Sequence, residues 1–145
     1  MSERVPQPTR IDYRHFVEIQ TRWEDNDLYG HVNNVVYYSY FDTVVNRFLI
    51  EQGGLQIHCD PVIGVVVESQ CSYFSAIAYP DLIEVGLGVS KLGSSSVVYE
   101  LGIFRKDEST AVAAGRFVHV FVQREDMQPV PIPESIRTAL GTLLP

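Results

Sequence analysis

Between positions 36 and 49 the apolar residues Val36, Tyr37, Tyr40, Phe41, Val44, Val45, Phe48 and Leu49 recur at i, i+1, i+4, i+5 spacing, with Ser39, Asp42, Thr43, Asn46 and Arg47 on the other side. A stripe that wide predicts a helix sunk deep into its surroundings. Asn33 or Asn34 is placed to cap it, and Gly53-Gly54 to stop it through the positive φ that glycine tolerates. Elsewhere the pattern is that of strands. Val17, Ile19, Thr21 and Trp23 alternate with Glu18, Gln20 and Arg22, which reads as a half-buried strand. Val62 to Val67, continuing to about Phe74, is a run of the buried type, and Ile83, Val85, Leu87 and Val89 alternate with Glu84, Gly86 and Gly88. Two further strands are expected over Val97 to Ile103 and Val112 to Gln123. Breaks fall at Tyr79-Pro80-Asp81, Gly93-Ser94-Ser95-Ser96 and Lys106-Asp107-Glu108-Ser109. The stiff segment Pro129-Val130-Pro131-Ile132-Pro133 leads into a short final helix, Glu134 to Leu143. The predicted order is strand, long helix, four strands, short helix, an α+β chain.

Composition narrows the class. At 145 residues and 46% apolar, the chain can bury roughly two thirds of its unfolded surface as one domain, residues 1–145, without disulfide or metal support. Cys59 and Cys71 have no ligand spacing and form no disulfide framework, so both read as reduced thiols. The consecutive residues His58-Cys59-Asp60 rarely converge on one ion, and no metal or cofactor is expected. The N-terminus, Met1 to Pro6, lacks the apolar segment of a signal peptide, and no apolar run approaches the roughly 20 residues of a membrane span. The expectation is a cytoplasmic protein without membrane contact. A net charge of −7 repels polyanions, which makes nucleic acid a poor partner.

The chemistry concentrates in Asp25-Asn26-Asp27-Leu28-Tyr29-Gly30-His31-Val32-Asn33-Asn34, which sets a carboxylate just ahead of the helix start. A helix N-terminus presents unpaired N–H groups and a partial positive charge of roughly half a unit. It can polarise an ester or thioester oxygen while the carboxylate attacks or activates water. Asp before a helix also caps or forms an Asx-turn, but Asn33 and Asn34 are better placed for that. His31 serves either to hold the turn or to orient substrate and assist proton transfer. His119 alternates with Phe117 and Phe121, which predicts a structural histidine with its hydrogen bonds satisfied. Tyr37, Tyr38 and Tyr40 read as core or groove packing, with one phenol free to face an acyl chain.

The stretch Trp23-Glu24-Asp25-Asn26-Asp27-Leu28-Tyr29-Gly30-His31-Val32-Asn33-Asn34-Val35-Val36-Tyr37, continuing through Tyr40-Phe41-Asp42, resembles the signature of hot-dog-fold acyl-CoA thioesterases of the 4-hydroxybenzoyl-CoA thioesterase type. The late Gly115-Arg116-Phe117-Val118-His119-Val120-Phe121-Val122 is similar to that family's last strand. The resemblance implies an antiparallel sheet of about five strands wrapped around one long central helix. It also implies a homodimer or homotetramer with sheets paired edge to edge and acyl-CoA sites at the interface. Carried over, Asp27 matches the catalytic carboxylate, as nucleophile or general base, and Asp25 its non-catalytic neighbour. The backbone N–H groups around Asn33 and Asn34 match the carbonyl-polarising end, and Gly30 lets the loop turn close to substrate.

The chain departs from the family where a basic cluster after the third strand would hold the nucleotide phosphates. It offers Lys91-Leu92-Gly93-Ser94-Ser95-Ser96 instead. The expected phosphate contacts are therefore Lys91, the hydroxyls and N–H groups of Ser94, Ser95 and Ser96, and Arg105 or Arg116. The leading activity is hydrolysis of an acyl-CoA thioester to acid and CoA. A hydratase or dehydratase of the same fold resembles an Asp-x-Asn-Pro-x-His pattern with acid and histidine five apart. Asp27 and His31 are four apart and no proline intervenes, which argues against it. A non-catalytic acyl-CoA binding module is the third class. An acidic surface favours CoA over an acidic carrier protein as acyl donor.

Overall fold

The computed structural model describes residues 6–145; Met1 to Val5, the start of the segment read above for a signal peptide, lie outside the described residues. In chain order the elements are β1 (His15–Gln20), α1 (Val36–Glu51), β2 (Val62–Tyr73), β3 (Leu82–Leu92), β4 (Ser96–Arg105), β5 (Ala113–Gln123) and α2 (Glu134–Gly141). The strands form one sheet in the order β1-β3-β4-β5-β2, antiparallel at every pairing. This is the hot-dog arrangement, with α1 as the filling. No helix among the described residues is long and apolar enough to cross a membrane.

Helix α1 is rich in tyrosine and valine, poor intrinsic helix formers, so docking against the sheet rather than propensity must hold it. Phe41, Val44 and Val45 are fully buried, each contributing on the order of 1.5–3 kcal/mol of transfer free energy. The sheet makes room at Gly115, where a Cβ would come within 2.4 Å of the Phe41 ring. At its C-terminal end Gly54 takes φ 72°, and Leu55 N–H returns to Leu49 O at 3.0 Å. At its N-terminal end Val35 occupies the capping position without a side-chain bond, and the Asn33 carboxamide oxygen accepts Val35 N–H at 2.9 Å. Of the two asparagines, Asn33 therefore does the capping and Asn34 is left over.

Two expectations are corrected. The first strand ends at Gln20 rather than at Trp23. Thr21 turns out of the sheet by giving both its N–H and its hydroxyl to Asp81 O, and Trp23–Asp25 form a 3-10 turn that leaves Trp23 79% exposed. The run at Val62 to Val67 is also less buried than its composition suggests. β2 pairs only with β5, so it is an edge strand, with Val66 and Val67 46% and 58% exposed beside a register shift between Val66 and Glu68. Its other edge has no partner among the described residues.

Candidate active site

The segment between β1 and α1 closes on itself. Asn26 and Val32 form an isolated antiparallel bridge, Asp27 N–H donates to His31 O at 2.9 Å, and Gly30 N–H returns to Asp27 O at 3.1 Å. The tip requires φ 85° at Gly30, the left-handed region where glycine is favoured. The half-buried Asp27 carboxylate accepts Tyr29 N–H on Oδ1 at 2.8 Å, while Oδ2 lies 3.4 Å from the Asn33 amide nitrogen. Its direction is thus set from both ends of the loop. His31 is exposed, and its ring makes no hydrogen bond with any described residue.

Beside this loop, at the start of α1, lies an open cleft of about 290 Å³ walled by Val32, Asn34, Tyr37, Tyr73, Ser75 and Ala76. The Asn34 N–H finds no acceptor among the described residues, while its carbonyl accepts the Tyr73 hydroxyl at 2.9 Å. Tyr37 and Tyr73 meet edge to face at 4.9 Å and form the aromatic wall. Burial raises both phenol pKa values, so they remain protonated donors at neutral pH. Burial also pushes the Cys71 thiol up to about 11, which leaves it a poor nucleophile. The cleft is thus walled by an aromatic pair and by Asn34, whose N–H has no acceptor among the described residues, and the adjoining loop carries one carboxylate.

Asp25 is of a different kind. Its side chain is 1% exposed and fully engaged. Burial raises its pKa, but the Tyr40 hydroxyl and the Arg22 N–H and guanidinium outweigh that and hold the carboxyl below its usual range. It is built into the fold, in keeping with its reading as a non-catalytic neighbour.

The structure gathers Asp27, Gly30, His31, Asn33, Asn34 and Tyr37 into one region. It does not bring Lys91, the 93–96 turn or Arg116 there within one protomer. Lys91 stands nine residues along β3 from Leu82, the end nearer the loop, or about 30 Å at a strand's rise per residue. The 93–96 turn is tied down at that far end: Ser94 O accepts Ile132 N–H, Ser95 O accepts Phe121 N–H, and the Arg137 guanidinium binds Gly93 O and Ser94 O. Arg116 projects from the outer face of the sheet, where it lines a separate hollow of about 200 Å³ with Gln70, Ser72 and Glu100. Arg105 is the exception: its guanidinium binds Ala76 O in the cleft wall, and it also pairs with Asp81 and Glu108.

His119 is buried as expected, but its bonds are not satisfied. Among the described residues neither ring nitrogen has a hydrogen-bond partner, nor does the Tyr99 hydroxyl, whose ring stands edge to face with the imidazole at 5.0 Å. The alternation that placed His119 inside carries no information on what it would meet there. Tyr73 is the site residue that sequence reasoning missed; Tyr40, read as core or groove packing, is buried as expected, and its hydroxyl on Asp25 was the part not foreseen. Tyr73 lies 39 residues from Asn34, and only its place at the end of a strand hinted at a wall.

The Thioesterase-like superfamily model matches residues 21–140. Among solved structures, the PA5185 protein of Pseudomonas aeruginosa strain PAO1 is 57% identical, covering 96% of this chain and 97% of that one, with a TM-score of 0.95. A gentisyl-coenzyme A thioesterase is 21% identical over 87% of this chain and 99% of its own, with a TM-score of 0.77, a likeness of fold alone. The uncharacterized protein YsmA of Bacillus subtilis (strain 168) is 25% identical over 91 residues, 63% of this chain and 61% of that protein. The cleft at a helix start, the carboxylate on the loop before it and the match over residues 21–140 converge: this chain belongs to the thioesterase-like superfamily.

Proposed function

We propose that the protein hydrolyses an acyl-CoA thioester to the free acid and CoA, as one cytoplasmic domain without a cofactor. The observation that carries this reading is the Asn34 N–H at the start of α1, without an acceptor among the described residues, on a residue that walls a cleft beside the Asp27 loop. The thioester oxygen accepts that N–H and is favoured by the helix dipole as negative charge develops on it. Asp27 then either attacks the carbonyl carbon, expelling the thiolate and leaving an anhydride for water to open, or takes a proton from the water that attacks. In both routes the elements of one water end on the acid and the thiol. The name of the gentisyl-coenzyme A thioesterase supports CoA as the carrier, and the aromatic wall of Tyr37 and Tyr73 suits an apolar acyl group. Thiol release from a panel of aromatic and aliphatic acyl-CoAs tests the reading. At least one member is hydrolysed well above the rate without protein; no release from any of them rejects it.

The working unit in this reading is a dimer paired through β2. Antiparallel pairing about a two-fold near Val67 covers the exposed valines. It also carries the Val62 end of a second copy's β2, with the neighbouring 93–96 turn and Lys91, towards the Tyr73 end of this one. Phosphate contacts that lie far from Asp27 within one chain are then delivered by the other. A Val66→Arg substitution is expected to shift the protein from dimer, or a larger even assembly, towards monomer by light scattering, with loss of hydrolysis. An unchanged mass would reject β2 as the interface.

A further inference from the structure

We infer that Asp25 is a positioning residue that, together with Tyr40, fixes the Asp27 loop against helix α1; this rests on the thioesterase reading above. The Asp25 carboxylate accepts four bonds: Tyr40 OH at 2.7 Å and Arg22 N–H at 2.9 Å on Oδ2, and Arg22 Nε and Nη2 at 3.1 and 2.9 Å on Oδ1. It is closed off from any substrate. A carboxylate taken out of water costs several kcal/mol unless every lone pair is engaged, so this one tolerates little movement. The Arg22 side chain is 61% exposed and contributes less than its geometry suggests, because solvent screens it. The Tyr40 bond is buried at both ends and is therefore the stronger anchor.

The clamp passes directly to the site. Asp25 O accepts Asn33 N–H at 2.9 Å, so the residue pinned to the helix also pins the far side of the loop. Asn33 in turn holds the two groups invoked for chemistry, through its amide nitrogen near Asp27 Oδ2 and its oxygen on Val35 N–H beside Asn34. One buried carboxylate thereby sets the carboxylate on the loop and the free N–H at the helix start in a common frame. Loosening it displaces them relative to each other, and misplacement on the order of 1 Å can cost about a hundredfold in rate.

The test compares Tyr40→Phe, Asp25→Asn and Asp25→Ala with wild type in acyl-CoA hydrolysis and in amide hydrogen exchange. Val44→Ala, a core substitution on the same helix, controls for lost stability. The expected result is a kcat lowered roughly tenfold by Tyr40→Phe and by up to about a hundredfold by Asp25→Ala, with KM near the wild-type value and Asp25→Asn intermediate. Exchange at the Val32 and Asn33 amides should speed up in the same order, and Val44→Ala should leave kcat unchanged. The inference is overturned if the clamp variants keep wild-type kcat, if their loss matches that of Val44→Ala, or if Val32 and Asn33 remain as protected as before. Were wild type itself to release no thiol, the thioesterase reading would fail, and the exchange data alone would decide whether Asp25 holds the loop.

Discussion

Asp27→Asn is expected to lower kcat for acyl-CoA hydrolysis by about a hundredfold to ten-thousandfold while leaving KM within a few-fold of wild type. The substitution keeps shape and removes basicity. An asparagine oxygen can still accept Tyr29 N–H as Oδ1 does, so the turn keeps its anchor. On the other side an amide nitrogen would face the Asn33 amide nitrogen, donor against donor. That pair starts at 3.4 Å and half-buried, so the conflict costs little stability, and the melting temperature should move by only a few degrees. Steady-state thiol release and thermal unfolding of both proteins measure the two quantities. A variant that keeps a third or more of wild-type kcat would remove Asp27 from the chemistry. Hydrolysis in ¹⁸O-labelled water under single turnover gives a positive test of one route: label in Asp27 requires attack by the carboxylate followed by opening of the anhydride at Asp27 Cγ, whereas activation of water places label only in the product acid.

The helix and the strand order were legible because each is encoded by a local period. The α1 stripe from Val36 to Leu49 appears with every member buried except the half-buried Val36, and β3 to β5 fall within three residues of their expected limits. The errors lie where a distant group decides. Thr21 leaves the sheet because Asp81, sixty residues away, takes its donors, and nothing near Thr21 announces that. The valines of β2 have the composition of a strand covered on all sides, yet β2 lies at the edge of the sheet with Val66 and Val67 exposed, because composition does not record a strand's place in the sheet order. At the site the loop itself was readable, since Gly30, Asn33 and Asp27 act on each other within seven positions. The wall was not, because Tyr73 arrives from another strand. The 93–96 turn showed the reverse: residues with the right chemistry for phosphate stand at the wrong end of their own sheet, a fact that strand length alone settles.

His119 predicts how the protein fails in acid. Burial against Phe117, Phe121 and Tyr99, with no bond to either nitrogen among the described residues, lowers its pKa from 6.5 to about 4. The unfolded chain therefore takes up a proton near pH 6.5 that the folded protein refuses until about pH 4, so stability falls as pH drops through that window and is flat above it. The shift corresponds to about 3 kcal/mol in full, of which about 2 kcal/mol is lost between pH 7.5 and 5. His15 is also lowered, by burial, and adds in the same direction. Glu100 opposes both, because burial raises its pKa and its protonated form gains as pH falls. Asp25 enters only at more acid pH, where its lowered carboxyl protonates. The His119→Phe variant isolates the one contribution, since a phenyl ring fits the aromatic neighbours and has no nitrogens to leave unpaired. Urea unfolding at pH 7.5 and 5 should show wild type losing about 2 kcal/mol more than the variant, with the variant the more stable at both pH values. Equal losses in the two proteins would mean that His119 finds a partner in solution and titrates as an ordinary histidine.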